Sequence, residues 1–140
     1  MELTKEDRFP ILLRGAWFGM NKAFRERIGS LGLTTSQYTI LRNLSENPGV
    51  SQDKLAKLIG GNKNNASSLV KRMTSSGLIA RKPNKSDKRA FAIFLTSKGE
   101  KLFKETTLIA DNLRKEVLSG LPSNIEEELV HLLGKCSIND

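Results

Sequence analysis

The stretch "NKNNASSLVKRMTSSGLIARKPNKSDKRAFAIFLT", residues 62 to 96, decides the fold. Its first part repeats apolar residues at helical spacing on one face, namely Ala66, Leu69, Val70 and Met73. Gly77 follows at a position where glycine commonly ends a helix. Beyond it, residues 78–83 and 89–96 are typical of two β-strands, and a polar, basic loop separates them. The stretch therefore predicts one helix followed by a β-hairpin.

Two shorter helices are predicted upstream of this stretch. Thr34 and Gln37 have the spacing of a capping box, which begins a helix that ends near Asn47. Ser51 is a suitable N-cap for the next helix, and Asn62 for the helix at the start of the quoted stretch. Three short helices followed by a two-stranded hairpin describe a winged helix-turn-helix.

Longer amphipathic helices are predicted on both sides of this core. The first runs from about Pro10 to Ile28, because proline suits the first position of a helix. A second long helix spans 97–118. The last spans 123–137, and a capping-box pattern at Ser123 and Glu126 begins it. The fold class predicted is mainly α with a small β-hairpin wing, a winged helix-turn-helix plus a helical region.

The positive charge of the chain is concentrated in one block. The 140 residues carry a net charge of +8, and residues 61–95 alone carry eight basic and one acidic side chain. A basic surface without a binding role would have its charge spread along the chain. A concentrated patch indicates an anionic partner, and nucleic acid is the first candidate.

Several classes of protein are disfavoured by composition. No apolar run approaches the roughly 18 residues of a membrane span, and no secretory signal is visible. The chain has one cysteine, Cys136, which fits a reducing cytoplasm, and one histidine, His131, which leaves little for a metal site. Cys136 is expected to be buried on an apolar helix face and inert. No catalytic set or phosphate-cradling glycine motif is present, so we expect neither an enzyme nor a cofactor.

The outward face of the helix after Asn62 holds amides, hydroxyls and positive charges without a carboxylate. Asparagine can donate and accept against the edge of adenine, and lysine and arginine offer charge to phosphates. The alternative is an ordinary solvated face, which usually includes Glu or Asp. The predicted DNA-binding residues on this helix are Lys63, Asn64, Asn65, Ser67, Ser68, Lys71 and Arg72.

The hairpin carries a second basic cluster around its loop, formed by Lys82, Lys85, Lys88 and Arg89 with Asp87 as its single acid. An ordinary basic turn is the alternative. The functional interpretation is a wing along the DNA backbone, with an arginine in the narrow minor groove. Asp87 is expected to orient Arg89 by a salt bridge.

Residues 33–103 resemble the MarR family of bacterial transcription regulators. The wing pattern Asp-x-Arg-Ala is present at 87–90, and it is followed by the family's "LTxxG" at 95–99. One departure is Gly61 and Asn62, which stand where the family usually has an apolar residue and a Ser or Thr cap. The cap function survives, while the turn loses a packing side chain.

The resemblance implies a cytoplasmic homodimer that binds double-stranded DNA at a pseudo-palindromic operator, with half-sites about 10 base pairs apart. It divides the chain into an N-terminal arm and helix (1–30), a winged helix-turn-helix domain (31–96) and C-terminal dimerisation helices (97–140). The arm, residues 1–9, is expected to cross to the partner. Repression relieved by a ligand is the family's usual mode. Non-specific DNA binding, or a role in protein contact without ligand control, is the alternative function.

The resemblance also implies a small effector, either an aromatic carboxylate, a phenolic compound or an acyl-CoA, bound beside the winged helix. A cation next to aromatic rings suits such a ligand. The alternative is that the aromatic residues are core and the arginines form structural ion pairs. The predicted ligand-binding residues are Arg14, Trp17, Phe18, Asn21, Tyr38 and Arg42.

Overall fold

The computed structural model describes residues 2, 4–60, 63–86 and 90–136. Its helices and strands are, in chain order, α1 (Lys5–Gly29), α2 (Thr35–Glu46), β1 (Val50–Ser51), α3 (Gln52–Leu58), α4 (Lys63–Ser75), β2 (Ile79–Pro83), β3 (Phe91–Leu95), α5 (Ser97–Leu118) and α6 (Glu126–Lys135). The predicted fold class, mainly helical with a small β wing, is confirmed.

The chain forms two compact units. A central unit comprises Phe24–Ile109, and a terminal unit comprises Met1–Ala23 together with Ala110–Asp140. The central unit thus contains α2 to α4 and the whole sheet, which are the elements of the predicted winged helix-turn-helix.

Two predicted helix starts in the central unit are confirmed. The Thr34 hydroxyl accepts a hydrogen bond from the Gln37 amide (3.2 Å), and the Gln37 side chain accepts one from the Thr34 amide (3.0 Å). The Ser51 hydroxyl accepts a hydrogen bond from the Lys54 amide (3.2 Å) at the start of α3. Each cap satisfies a backbone donor that the first turn of a helix leaves without a partner.

One hydrophobic core joins the helices of the central unit to its sheet. Each helix supplies the apolar face that its spacing predicts, because residues three and four apart lie on one side of a helix. Fully buried members of this core are Ile28, Ile40, Leu41, Leu55, Val70, Met73 and Ile93.

The sheet has three strands rather than the predicted two, in the order β1-β3-β2 and antiparallel throughout. The added strand is β1, whose Val50 pairs with Ile93. Gly49 turns the chain into this pairing with a φ of 82°, and its amide donates to the Ile93 carbonyl at 2.9 Å. A two-residue strand is too short to show an alternating pattern, which is why the sequence did not indicate it.

Gly77 and Thr96 fix the two ends of the hairpin to the helices. Gly77 has a φ of 78° after α4, which confirms the predicted helix stop. The Thr96 hydroxyl donates to the Gly77 carbonyl (2.5 Å) and accepts from the Gly99 amide (3.1 Å), so it caps α5 and holds the α4 end. A side chain at Gly99 would press directly on the Leu78 carbonyl oxygen.

Helix α1 begins at Lys5, earlier than the predicted start at Pro10. The Thr4 amide and hydroxyl donate to the Asp7 carboxylate (3.1 and 2.7 Å), and the Asp7 amide donates to the Thr4 hydroxyl (3.2 Å). These bonds form a capping box upstream of the proline, and Pro10 lies inside the helix. Residues 5–9 of the predicted arm are therefore helical.

Two expectations for the C-terminal end were wrong. Helix α6 begins at Glu126 after Ile125, which makes no side-chain cap hydrogen bond, so the predicted Ser123 cap is not used. Cys136 is exposed rather than buried, because it follows the last turn of α6. An ion pair between Arg114 and Glu126 joins α5 to α6 within the terminal unit.

None of the helices described is both long and apolar enough to cross a membrane. Within the described ranges, His, Cys, Asp and Glu side chains form no cluster of three that is suited to a metal ion.

Candidate DNA interface

The inward face of α4 determines which of its side chains reach solvent. Ala66, Val70 and Met73 have no exposed surface, and Val70 and Met73 belong to the core cluster. Leu69 is half-buried beside them. Burying an aliphatic side chain of this size is worth about 1.5–3 kcal/mol, so these contacts hold the rotation of the helix about its axis.

The polar residues of α4 are consequently on the outside. The structure confirms the exposure of the side chains predicted for this face, namely Asn64, Asn65, Ser67, Ser68, Lys71 and Arg72. Lys63 begins the helix, and its side chain lies outside the described residues. With no Asp or Glu in α4, nothing on the helix repels a phosphate.

A cleft lies between α2 and α4, with a volume of about 330 Å³. Hydroxyl, amide and guanidinium groups line it together with two apolar side chains. The residues are Ser36, Thr39, Ile59, Asn65, Ser68, Leu69 and Arg72. The guanidinium Nη2 of Arg72 donates to the Ser68 hydroxyl at 3.2 Å. This bond uses one of the five N–H donors of the guanidinium and holds the group beside Ser68 in the lining of the cleft.

Two polar residues of this cleft, Ser36 and Thr39, were not among the predicted DNA-binding residues. They lie in the first turns of α2, and the Thr39 hydroxyl donates to the Thr35 carbonyl at 2.9 Å. Among the hydroxyl residues at 34–36, the sequence assigns a role to Thr34 alone, as a helix cap. Their place beside α4 depends on how the two helices pack, which spacing within one helix does not show.

The hairpin carries the predicted wing. The Asn84 amide donates to the Ala90 carbonyl at 3.1 Å and closes the loop. The Asn84 side-chain oxygen accepts from the Ser86 amide (3.0 Å) and hydroxyl (2.8 Å), which is a common way for Asn to stabilise a turn. Lys85 is exposed between them. Asp87, Lys88 and Arg89 lie outside the described residues, so their roles and the proposed Asp87–Arg89 salt bridge stay predictions.

Each face of the hairpin also places a cation over an aromatic ring. The Arg81 guanidinium carbon lies 5.4 Å from the centre of the Phe91 ring. On the other face, the Lys82 ammonium lies 5.1 Å from the centre of the Phe94 ring. Arg81 was not among the predicted DNA-binding residues, because a strand residue outside the loop gave no separate signal in the sequence.

The predicted ligand-binding residues are divided between the two units. Arg14, Trp17, Phe18 and Asn21 belong to the terminal unit, and Tyr38 and Arg42 to the central unit. The structure brings Arg14 and Phe18 together, with the guanidinium carbon 5.2 Å from the ring centre. A shared ligand pocket of all six residues stays a prediction.

The aromatic members of this set have different surroundings. Trp17 and Phe18 are more than half exposed, whereas Tyr38 is packed against the core. Its ring meets Phe24 edge-on at 4.8 Å and stacks with Phe103 at 6.2 Å. The alternative interpretation, an aromatic core residue, therefore describes Tyr38 and not the exposed pair.

The sequence of the chain matches known regulators. Residues 33–91 match the model of the MarR family. The chain is 31% identical over 109 residues to the uncharacterised HTH-type transcriptional regulator YybA of Bacillus subtilis, covering 78% of this chain and 73% of that protein.

Solved structures share the fold. A mutant MarR from Escherichia coli, complexed with operator DNA, has a TM-score of 0.79 at 22% identity and covers 96% of this chain and 98% of its own. The Mycobacterium tuberculosis MarR family protein Rv2887, complexed with salicylic acid, has a TM-score of 0.74 at 23% identity and covers 97% and 98%. With the exposed polar face of α4 and the wing, these matches show that the chain belongs to the MarR family of DNA-binding transcriptional regulators.

Proposed function

We propose that this protein is a homodimeric repressor that binds a pseudo-palindromic operator through α4 and the wing, and that a small anionic aromatic ligand releases it. The DNA-binding part of this proposal rests on the residues of the outward face of α4. Its amides, hydroxyls and cations are exposed together, and the buried face fixes their direction.

The chemistry of this face separates two kinds of DNA contact. Asn64 and Asn65 are suited to base edges in the major groove, because an amide both donates and accepts. Arg72, held by Ser68 beside the cleft, is suited to a phosphate, which fixes register without reading sequence. The operator complex of the E. coli relative supports this placement through its fold alone.

The test of this function is the difference between specific and non-specific binding. An operator is first selected from random duplexes with the purified protein, and its Kd is then compared with that for a scrambled duplex over a series of salt concentrations. A specific regulator binds the operator about 10³-fold or more tightly. Equal affinity for both duplexes would establish the alternative, a protein that coats DNA.

Variants on α4 sharpen this test. Asn64→Ala or Asn65→Ala should change the selected sequence, since the lost amide no longer discriminates between bases. Arg72→Ala should weaken operator and scrambled duplexes alike and lower the salt slope by about 0.9, the contribution of one phosphate contact. An unchanged salt slope for Arg72→Ala would contradict the phosphate assignment.

The homodimer is supported by the apolar surface of the terminal unit. Large apolar side chains are exposed along α1 and the C-terminal helices, namely Phe9, Ile11, Leu12, Leu13, Trp17, Phe18, Val117, Leu121, Val130, Leu132 and Leu133. Exposed apolar surface on this scale is typical of a protein–protein interface. Sedimentation equilibrium should show a dimer, which Leu12→Glu combined with Leu133→Glu should dissociate. A monomeric parent protein at micromolar concentration would exclude this proposal.

The ligand part is supported by the Arg14–Phe18 pair and by the salicylic acid complex of the M. tuberculosis relative. A carboxylate beside an aromatic ring would match a guanidinium held over a ring. A panel of aromatic acids at about 100 times their Kd should stabilise the fold by about 2.7 kcal/mol and raise its Tm. The same acids should release the operator, and an unchanged Tm across the panel would contradict this part of the proposal.

A further inference from the structure

Phe91 is an aromatic residue outside the core of the central unit, and 47% of its surface is exposed. It is the first residue of β3, and its ring carries the Arg81 guanidinium at 5.4 Å. In the register of the hairpin Arg81 pairs with Ile93 and Phe91 pairs with Pro83, so the two side chains are diagonal neighbours on one face. The ring therefore covers the cation and not the core.

The face that carries this pair is the one that contributes to the hydrophobic core. Ile79 and Ile93 lie on the same face, because side chains alternate along a strand, and both are buried in the core cluster with Met73 of α4. Arg81 is two residues beyond Ile79 on β2, where the core ends and the side chain becomes exposed. The guanidinium thus lies on the core side of the hairpin, between the buried base and the wing loop.

We propose that Arg81 contacts a phosphate of the DNA backbone between the α4 site and the wing tip, and that Phe91 is its positioning residue. This inference rests on the proposed DNA-binding function. A guanidinium stacks flat on a ring and keeps its N–H edge free to meet a phosphate. The ring restricts the long arginine side chain before DNA arrives, so less conformational entropy is lost on binding.

The opposite face of the hairpin supplies a matched control. Lys82 lies over Phe94 at 5.1 Å, and Phe94 is half-buried against the Gly49 turn. This pair has the same chemistry and neighbouring positions in the sequence, but it lies on the opposite face of the hairpin, where Phe94 lines a cleft with Leu44 and Phe103. The Arg81–Phe91 and Lys82–Phe94 pairs therefore carry the same charge and differ in the face of the hairpin on which they lie.

The experiment is a double-mutant cycle on DNA affinity, measured with the whole 140-residue chain over a salt series. Arg81→Ala should lower the salt slope by about 0.9 for operator and scrambled duplex alike. Phe91→Leu should weaken binding roughly 2- to 5-fold with the slope unchanged, because the charge stays and only the ring is lost. Phe91→Tyr should restore parental affinity. In the Arg81→Ala background, Phe91→Leu should have no further effect.

Three outcomes would overturn the inference. An unchanged slope for Arg81→Ala excludes the phosphate contact. A loss from Phe91→Leu that persists in the Arg81→Ala background shows that the ring acts through the fold. An equal slope change for Lys82→Ala shows that any cation on the hairpin serves.

Arg72→Ala separates failure of this inference from failure of the proposed function. If the parent binds the operator and Arg72→Ala lowers the slope while Arg81→Ala does not, only the Arg81 assignment fails. If the parent binds no duplex, the inference falls together with the proposed function.

Discussion

The central and terminal units have similar amphipathic helices, but the central unit buries its large apolar side chains and the terminal unit exposes many of them. In the central unit Leu55 and Ile40 have no exposed surface. In the terminal unit Leu12 is 67% and Phe9 60% exposed, although both lie on a well-formed helix. Helical spacing thus shows which face is apolar, and only the packing shows what covers that face.

The difference indicates which part of the molecule is complete by itself. A core of fully buried side chains stabilises the central unit within one chain. The terminal unit exposes its large apolar side chains to solvent, so their burial does not stabilise it within one chain. On the proposed dimer, a second chain covers this area. The DNA-binding elements would then be stable before association, and association would set the distance between two copies of α4.

The largest effect is expected from Leu55→Ala in the central core. Removing this fully buried side chain leaves a cavity and should lower the free energy of unfolding by about 2–5 kcal/mol, measured by urea denaturation. The matched control is Leu12→Ala, at an exposed position of α1. At a concentration low enough for the protein to be monomeric, this variant should change the free energy of unfolding by about 0.5 kcal/mol or less. Comparable losses from both variants would contradict the contrast between the units.

Gly99→Ala tests how closely α5 approaches the hairpin. The added methyl would press on the Leu78 backbone oxygen, which cannot rotate away as a side chain can. We expect a loss of about 1–3 kcal/mol in the free energy of unfolding, as for other overpacked sites. Gly29→Ala is the control, because a methyl there meets no atom within 4 Å. Unchanged stability of Gly99→Ala would show that α5 can shift without cost.

Much of the central unit was predictable because its signals are local. The capping pattern at Thr34 and Gln37, the glycine stop at Gly77 and the apolar face of α4 each lie within a few residues and follow from backbone geometry. The exposure of the polar side chains of α4 followed from the same periodicity.

The remaining features depend on contacts between distant residues. Strand β1 exists because Val50 meets Ile93, and Ser36 lines the cleft because α2 packs beside α4. The Arg81–Phe91 contact depends on hairpin register, which moves every side chain to the other face if it slips by one residue. The early start of α1 has a local signal in the Thr4–Asp7 capping pattern, but the predicted start rested on Pro10 alone.

A smaller effect is expected from Arg114→Ala in the terminal unit. Arg114 pairs with Glu126 and approaches Asp111 at 3.9 Å, and about half of its side-chain surface is exposed. Exposed ion pairs contribute about 0.2–1 kcal/mol, because water and salt screen the charges. Urea denaturation in low salt should show a loss in this range, which 1 M salt should largely remove. A loss that exceeds that of Leu55→Ala would mean that polar contacts hold the terminal unit.

The smallest effect concerns the first turn of α1, where hydrogen bonds from the Thr4 side chain and backbone lower the pKa of Asp7. Because the folded pKa lies below the unfolded one, this cap stabilises the helix start at neutral pH, and the contribution is lost as the pH falls through the folded pKa. Thr4→Ala removes the hydroxyl donor, so an NMR titration should show the Asp7 pKa moving up toward its ordinary value, while Thr4→Ser should keep it low. An Asp7 pKa that is the same in Thr4→Ala and the parent would mean that the capping box does not form in solution. The helix would then begin nearer Pro10, as the sequence alone predicts, and residues 5–9 would be available as a flexible arm.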